Sequence, residues 1–162
     1  MARKVSALFV LFFTLALVGC DHATKALAEG VLQRAPMAVV PGMVELRYAE
    51  NHDIAFSALG RLAVVPPAVA LFAFGALAIV AIMIAWWRRR RAATSLEHVA
   101  FGFIVAGAIG NVIDRVARGY VVDFIHDTHW PIFNVADALI VVGMALHAWL
   151  ALRRRARTPA TT

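Results

Sequence analysis

The chain carries a single cysteine, Cys20, in 162 residues, so no intrachain disulfide can form. No internal repeat is evident, and the only low-complexity tract is a short polar tail after Arg157. That length leaves room for one domain, expected over residues 1–157 with 158–162 as the tail. The formal charge of +6 does not mark a nucleic-acid binder, because the Lys and Arg residues flank apolar runs instead of sharing one presented surface. What is abundant is apolar side chain. The hydrophobic fraction is 62% and the mean hydropathy +0.75, against roughly 45–50% apolar residues in globular chains. The excess is concentrated in blocks, which points to a membrane protein.

A hydrocarbon core about 30 Å thick takes roughly 20 helical residues to cross. Four segments qualify, at about residues 5–22, 62–87, 97–114 and 132–152. The first is short alone, but an amphipathic continuation through Ala28 lengthens it. Pro66 and Pro67 stand near the start of the second, where a helix tolerates them, and Trp86 and Trp87 stand at its end, where their rings suit the interface. Arg3 and Lys4, Arg88 to Arg91, and Arg153, Arg154, Arg155 and Arg157 all fall on one side of a four-span chain. That side holds ten of the sixteen basic residues, while nine of the ten acidic residues lie elsewhere. The bias places both termini in the cytoplasm and the acidic loops outside. The expected fold is an all-α membrane protein, a four-helix bundle with a small outer β-sheet. In the outer segment, about 26–61, Met43 to Tyr48 alternates as a half-exposed strand does. Met37 to Val40 is its expected partner across the turn signal Pro41-Gly42.

Polar residues inside apolar segments carry the chemistry. Gly102, Ala106 and Gly110 recur every four positions, a small-residue face for close helix packing. Asn111, Asp114 and Arg115 follow at the outer helix mouth. Asp114-Arg115 reads either as a structural ion pair or, with Asn111, as an anchor for a substrate backbone. Asp137 is expected about six residues into the fourth helix, roughly 9 Å from its start. A carboxylate there is costly and usually functional; the bland alternative is an Asp held by Asn134. Asp123 precedes it, and the Asp123–Trp130 stretch, read as a loop, is short enough to return Asp123 to Asp137. Two carboxylates sharing one site cannot both ionise easily, so the pair holds one proton. One then serves as base toward water while the other donates to the scissile carbonyl. That chemistry requires no nucleophilic side chain and no cofactor.

Several blocks match a known family. Gly110-Asn111-Val112-Ile113-Asp114-Arg115, Gly119-Tyr120-Val121-Val122-Asp123-Phe124-Ile125 and Phe133-Asn134-Val135-Ala136-Asp137 are similar to the motifs of lipoprotein signal peptidase, or signal peptidase II. Asp21-His22-Ala23-Thr24-Lys25 and Asn51-His52-Asp53-Ile54-Ala55-Phe56-Ser57 resemble two further motifs, and the likeness spans about Val5 to Leu152. The resemblance implies a bacterial inner-membrane aspartic endopeptidase, probed by the cyclic peptide globomycin, that removes the signal peptide of diacylglyceryl-modified prolipoproteins before the lipidated Cys. It implies Asp123 and Asp137 as the catalytic pair. Asn51, Asn111, Arg115 and Asn134 would line the cleft, with Asp21, Lys25 and Asp114 in support. A monomer, membrane-lipid contacts, no nucleic acid and no metal or cofactor complete the expectation. His22 replaces the usual Gln, Ala106 the first Gly of a Gly-Gly pair, and Asp53 a Gly whose backbone a side chain makes costly. These departures raise the alternative of a diverged copy with another substrate or none.

Other readings stand beside it. Asp123, His126, Asp127 and His129 cluster as zinc ligands would, without a recognised spacing, which gives a metal-dependent hydrolase. Intramembrane Asp residues also relay protons, but carriers place them near the midplane. Finally, Leu17-Val18-Gly19-Cys20 has the shape of a lipobox, the signal at which lipoproteins are lipidated and cut. The Asp-x-x-Thr-Lys match beyond it places Asp21 on a retained helix instead.

Overall fold

The computed structural model describes residues 7–52, 77, 80, 81, 83, 84, 86–88 and 92–157. Helix α1 (Ala7–Leu32) leads to strands β1 (Met37–Val40) and β2 (Val44–Asn51). Helix α2 (Ser95–Arg118), strands β3 (Val121–Asp127) and β4 (Trp130–Phe133), and helix α3 (Val135–Arg157) follow. All three helices are long and apolar enough to cross a membrane. The expected second span, 62–87, falls mostly outside the described residues; of it, the described positions 77, 80, 81, 83, 84, 86 and 87 are helical. Asp53 lies outside them as well.

The helix ends follow from local chemistry. At the start of α2 the Thr94 side chain accepts from Glu97 N at 3.3 Å, and the Glu97 carboxylate accepts from Thr94 N at 2.7 Å. This reciprocal box satisfies two amides that the first turn leaves unpaired. Gly119 ends the helix at φ 83°, a left-handed conformation that a Cβ disfavours, and its N–H returns to Arg115 O. Helix α3 opens with a second reciprocal box. Asp137 N donates to Asn134 Oδ1 at 3.0 Å, and Asn134 N donates to Asp137 Oδ2 at 3.2 Å. The helix therefore starts at Val135 and not near Ile132, because Trp130 to Phe133 pair as a strand. Asp137 is the third helical residue, in the first turn, and not six residues deep as expected.

Helix α1 runs unbroken through Cys20 and continues to Leu32. Asp21, Lys25, Ala28 and Leu32 are all buried, and their spacing places them on one face. Ala28 and Leu32 pack against Phe124 of β3, with Leu46, Tyr48, Ile125 and Val135 around them. The upper turns of α1 thus form the floor on which the sheet rests.

The sheet is antiparallel in the order β1-β2-β3-β4. The expected hairpin is present, with Met37 opposite Leu46. The Asp123–Trp130 stretch is not a loop: most of it is β3, paired to β2 with Ala49 opposite Asp123 and Asn51 opposite Val121. Helices α2 and α3 approach so closely that a Cβ on Gly107 would stand 2.2 Å from Ala136 O. The expected small-residue face serves α1 instead, with Gly102 against the Phe13 ring and Gly110 against the Asp21 carboxylate.

Candidate active site

Five elements converge at one end of the helices. Asp123 lies on β3, whose pairing with β2 puts it beside Asn51 at the end of that strand. The residue is 1% exposed. Oδ2 accepts from Asn51 Nδ2 at 2.8 Å and Oδ1 from Asn134 Nδ2 at 2.7 Å. Burial pushes the Asp123 carboxyl above its usual range; the Asn51 bond offsets part of this, and the neighbouring Asp137 charge adds to it.

Asp137 is half-buried at the mouth of α3. Its Oδ2 accepts from Asn134 N, and its Oδ1 accepts from Asn111 Nδ2 at 2.7 Å. Asn134 therefore bridges the two carboxylates: its side-chain amide reaches Asp123, while its backbone amide and Oδ1 hold Asp137. Each carboxylate accepts two hydrogen bonds, all from uncharged donors.

Behind this pair lies a buried ionic cluster. Lys25 Nζ is 2.8 Å from Asp21 Oδ2, 2.8 Å from Asp114 Oδ2 and 3.1 Å from Asn111 Oδ1. Lys25 and Asp21 are fully buried and Asp114 nearly so. Asp21 Oδ1 accepts from Ala136 N at 2.9 Å, and Asp114 Oδ2 from Val122 N at 3.3 Å. The cluster so ties α1 and α2 to the first turn of α3 and the start of β3, the two places that carry Asp137 and Asp123. Arg118, outside the expected set, closes it through Asp114 at 3.2 Å and Glu29 at 3.4 Å. His22 stands 3.8 Å from Asp114.

Every site residue expected from sequence is thus in this region. Arg115 is the loosest: it is half-buried on the rim, with Nη1 3.5 Å from Asn111 O in its own helix, and its charge acts on Asp137 and Asp123. The four His and Asp residues read as candidate zinc ligands do not converge as one set. His126 pairs with Glu45 at 3.4 Å and His129 with Asp127 at 3.7 Å. Among the described residues no three His, Cys, Asp or Glu side chains converge as metal ligands. Sequence reading missed Gly107, which lets α3 approach at Ala136, and Arg118. It named Asn134 as a cleft residue or a partner of Asp137 but not as a helix cap, for which the Asn-x-x-Asp spacing before an apolar run was the signal.

The backbone matches a solved structure described as a bacterial membrane enzyme, with a TM-score of 0.76 over 100% of this chain and 98% of that one, at 23% identity. Among the described residues the fold is three apolar helices joined to a small antiparallel sheet, and it matches that of this membrane enzyme. A family model described as signal peptidase (SPase) II matches residues 13–153. The lipoprotein signal peptidase of Geobacter metallireducens is 40% identical over 79% of this chain and 80% of its own length. That of Pseudoalteromonas translucida is 34% identical over 90% and 89%. The chain belongs to the signal peptidase II family and is a peptidase.

Proposed function

We propose that this protein is an aspartic endopeptidase that removes signal peptides from diacylglyceryl-modified prolipoproteins, cutting before the lipidated cysteine. The observation that carries the reading is the meeting of Asp123 and Asp137 around Asn134, at the end of three membrane-length helices. A carboxylate pair sharing one proton supplies a base for water and an acid for the scissile carbonyl. Asn51, Asn111, Asn134 and the rim residue Arg115 hold the substrate backbone, and Asp21, Lys25 and Asp114 support the frame.

The chain has four spans in the bacterial inner membrane, with both termini cytoplasmic and the site facing the periplasm. The sheet lies above the bundle as a cradle for the cleavage region. The acyl chains of the substrate stay in the bilayer and set the depth of the cut. Helix α1 stays with the mature protein, because Phe13, on the part of the helix that a cut before Cys20 would remove, packs against Gly102 and Phe103 of α2. The enzyme works as a monomer without a cofactor, and globomycin-type peptides block it by filling the cleft.

The test is purified protein with a synthetic diacylglyceryl-prolipoprotein in EDTA, read by mass spectrometry. The reading expects a new amino terminus at the lipidated Cys and no cut in the unmodified peptide. Inert folded protein, or cleavage that EDTA abolishes, would overturn it.

A further inference from the structure

The two carboxylates are not equivalent, and the difference originates in α1. Lys25 is fully buried, and the ammonium has donors and no acceptor. Lys25 Nζ and Asn134 Nδ2 both donate to Asn111 Oδ1 at 3.1 Å, and together they hold the amide with that oxygen toward themselves. The Nδ2 of Asn111 then points only toward Asp137 Oδ1, 2.7 Å away. The other oxygen of Asp137 faces the backbone N–H of Asn134, which cannot turn round. Both oxygens of Asp137 are thus met by fixed donors. Asp137 also stands in the first turn of α3, where the helix dipole favours a negative charge.

Asp123 differs. Its Oδ1 faces Asn134 Nδ2, whose amide is fixed because Asn134 Oδ1 accepts from Asp137 N. Its Oδ2 faces Asn51, whose amide has no second partner among the described residues. That amide can turn and accept from a protonated Asp123. Asp123 is also the more deeply buried of the two.

Building on the proposed aspartic mechanism, we propose that Asp123 carries the shared proton in the resting enzyme and Asp137 is the base. In this arrangement Lys25 is the positioning residue that sets the difference through Asn111. Asp137 takes a proton from water, whose oxygen bonds to the scissile carbonyl carbon. Asp123 gives its proton to the carbonyl oxygen, forming a diol. Asp137 then protonates the leaving nitrogen as the C–N bond breaks. Asp123 recovers a proton from one diol hydroxyl. The products are a carboxylic acid and the free amine of the lipidated Cys, and the pair returns to its starting state.

The test is the pH profile of kcat. The charged groups facing the pair are Lys25 and Asp21 from α1 and Asp114 and Arg115 from α2. Asn111→Ser leaves them all in place and removes the fixed donor to Asp137, together with the oxygen that accepts from Lys25 and Asn134. The double variant Lys25→Met/Asp21→Asn removes one charge of each sign and one of the two donors that hold Asn111 Oδ1, and so weakens the same step from the other side. A donor to a carboxylate favours its ionised form. Losing it raises the lower of the two apparent pKa values if the charge resides on Asp137, and the upper one if the proton resides there. The expected result is an acid limb of kcat moved up by about one pH unit with the alkaline limb unmoved. A moved alkaline limb would place the proton on Asp137 and overturn the assignment. An unmoved profile in Asn111→Ser would remove the Asn111 link. A moved acid limb in Asn111→Ser but not in the folded double variant would overturn the role of Lys25. Should the double variant not fold, loss of Lys25 disrupts the frame itself, and its role as positioning residue is withdrawn. Cleavage by both Asp123→Asn and Asp137→Asn would instead sink the aspartic mechanism on which the inference rests.

Discussion

Replacing Gly107 by Ala is the sharpest mechanical test of how the helices position the site. The new Cβ would stand 2.2 Å from Ala136 O and 2.8 Å from Ile140 Cγ1, where ordinary contact begins near 3.4 Å. One neighbour is backbone, so it cannot swing away as a flexible side chain would. Helices α2 and α3 must separate by about 1 Å at this point, and overpacking of that kind costs about 1–3 kcal/mol. Ala136 directly precedes Asp137, and its N–H is the group held by Asp21. The displacement therefore reaches the carboxylate that must meet water and substrate. A misplacement of about 1 Å costs on the order of 100-fold in rate. The assay pairs kcat/KM on a diacylglyceryl-prolipoprotein with thermal unfolding in the same detergent. Gly42→Ala is the control: at φ 77° with nothing within 4 Å of its Cβ, it strains a distant turn. That substitution should lose about 1–2 kcal/mol of stability and leave kcat unchanged. Gly107→Ala with wild-type unfolding and wild-type kcat/KM would refute the argument that this contact sets the position of Asp137.

Other consequences concern charge. The folded Asp123 carboxyl titrates above its ordinary 3.8. Its contribution to stability is fully present below the unfolded value and is lost as pH rises through the raised one. Unfolding temperature should therefore fall over that interval in the wild type, and this part of the dependence should vanish in Asp123→Asn. Lys25→Met leaves Asp21 and Asp114 buried without their shared cation. Breaking a buried pair of this kind costs about 3–5 kcal/mol, and adding Asp21→Asn should recover part of the lost unfolding temperature.

Much of this architecture is legible in the sequence. The β1–β2 hairpin follows from the alternation of Met43 to Tyr48 beside Pro41-Gly42. Strand β3 was not legible, because Val121 to Phe124 are buried on both faces and show no alternation. Its partner β2 is also about 70 positions away in sequence, and no local signal encodes such a pairing. The length of α1 was underestimated where its apolar run stops, yet Lys25 and Asp21 remain helical because they neutralise each other on one face. The depth of Asp137 was misjudged for the opposite reason. Ile132 and Phe133 read as helix by hydropathy, though they belong to β4, while the Asn134–Asp137 box that starts the helix was read as an Asp held by a neighbour. The site residues were found by type and motif. Their connections, above all the Lys25–Asn111–Asp137 chain, depend on which amide faces which oxygen, and only geometry supplies that.

The central claim is that Asp123 and Asp137 together cut the substrate. It is tested most directly by cleavage of a synthetic diacylglyceryl-prolipoprotein by purified wild type, Asp123→Asn and Asp137→Asn, each shown to be folded by thermal unfolding, with EDTA present throughout. The account predicts cleavage by the wild type and a loss on the order of 1,000-fold or more in each variant. Cleavage by either variant at a rate near that of the wild type would contradict it.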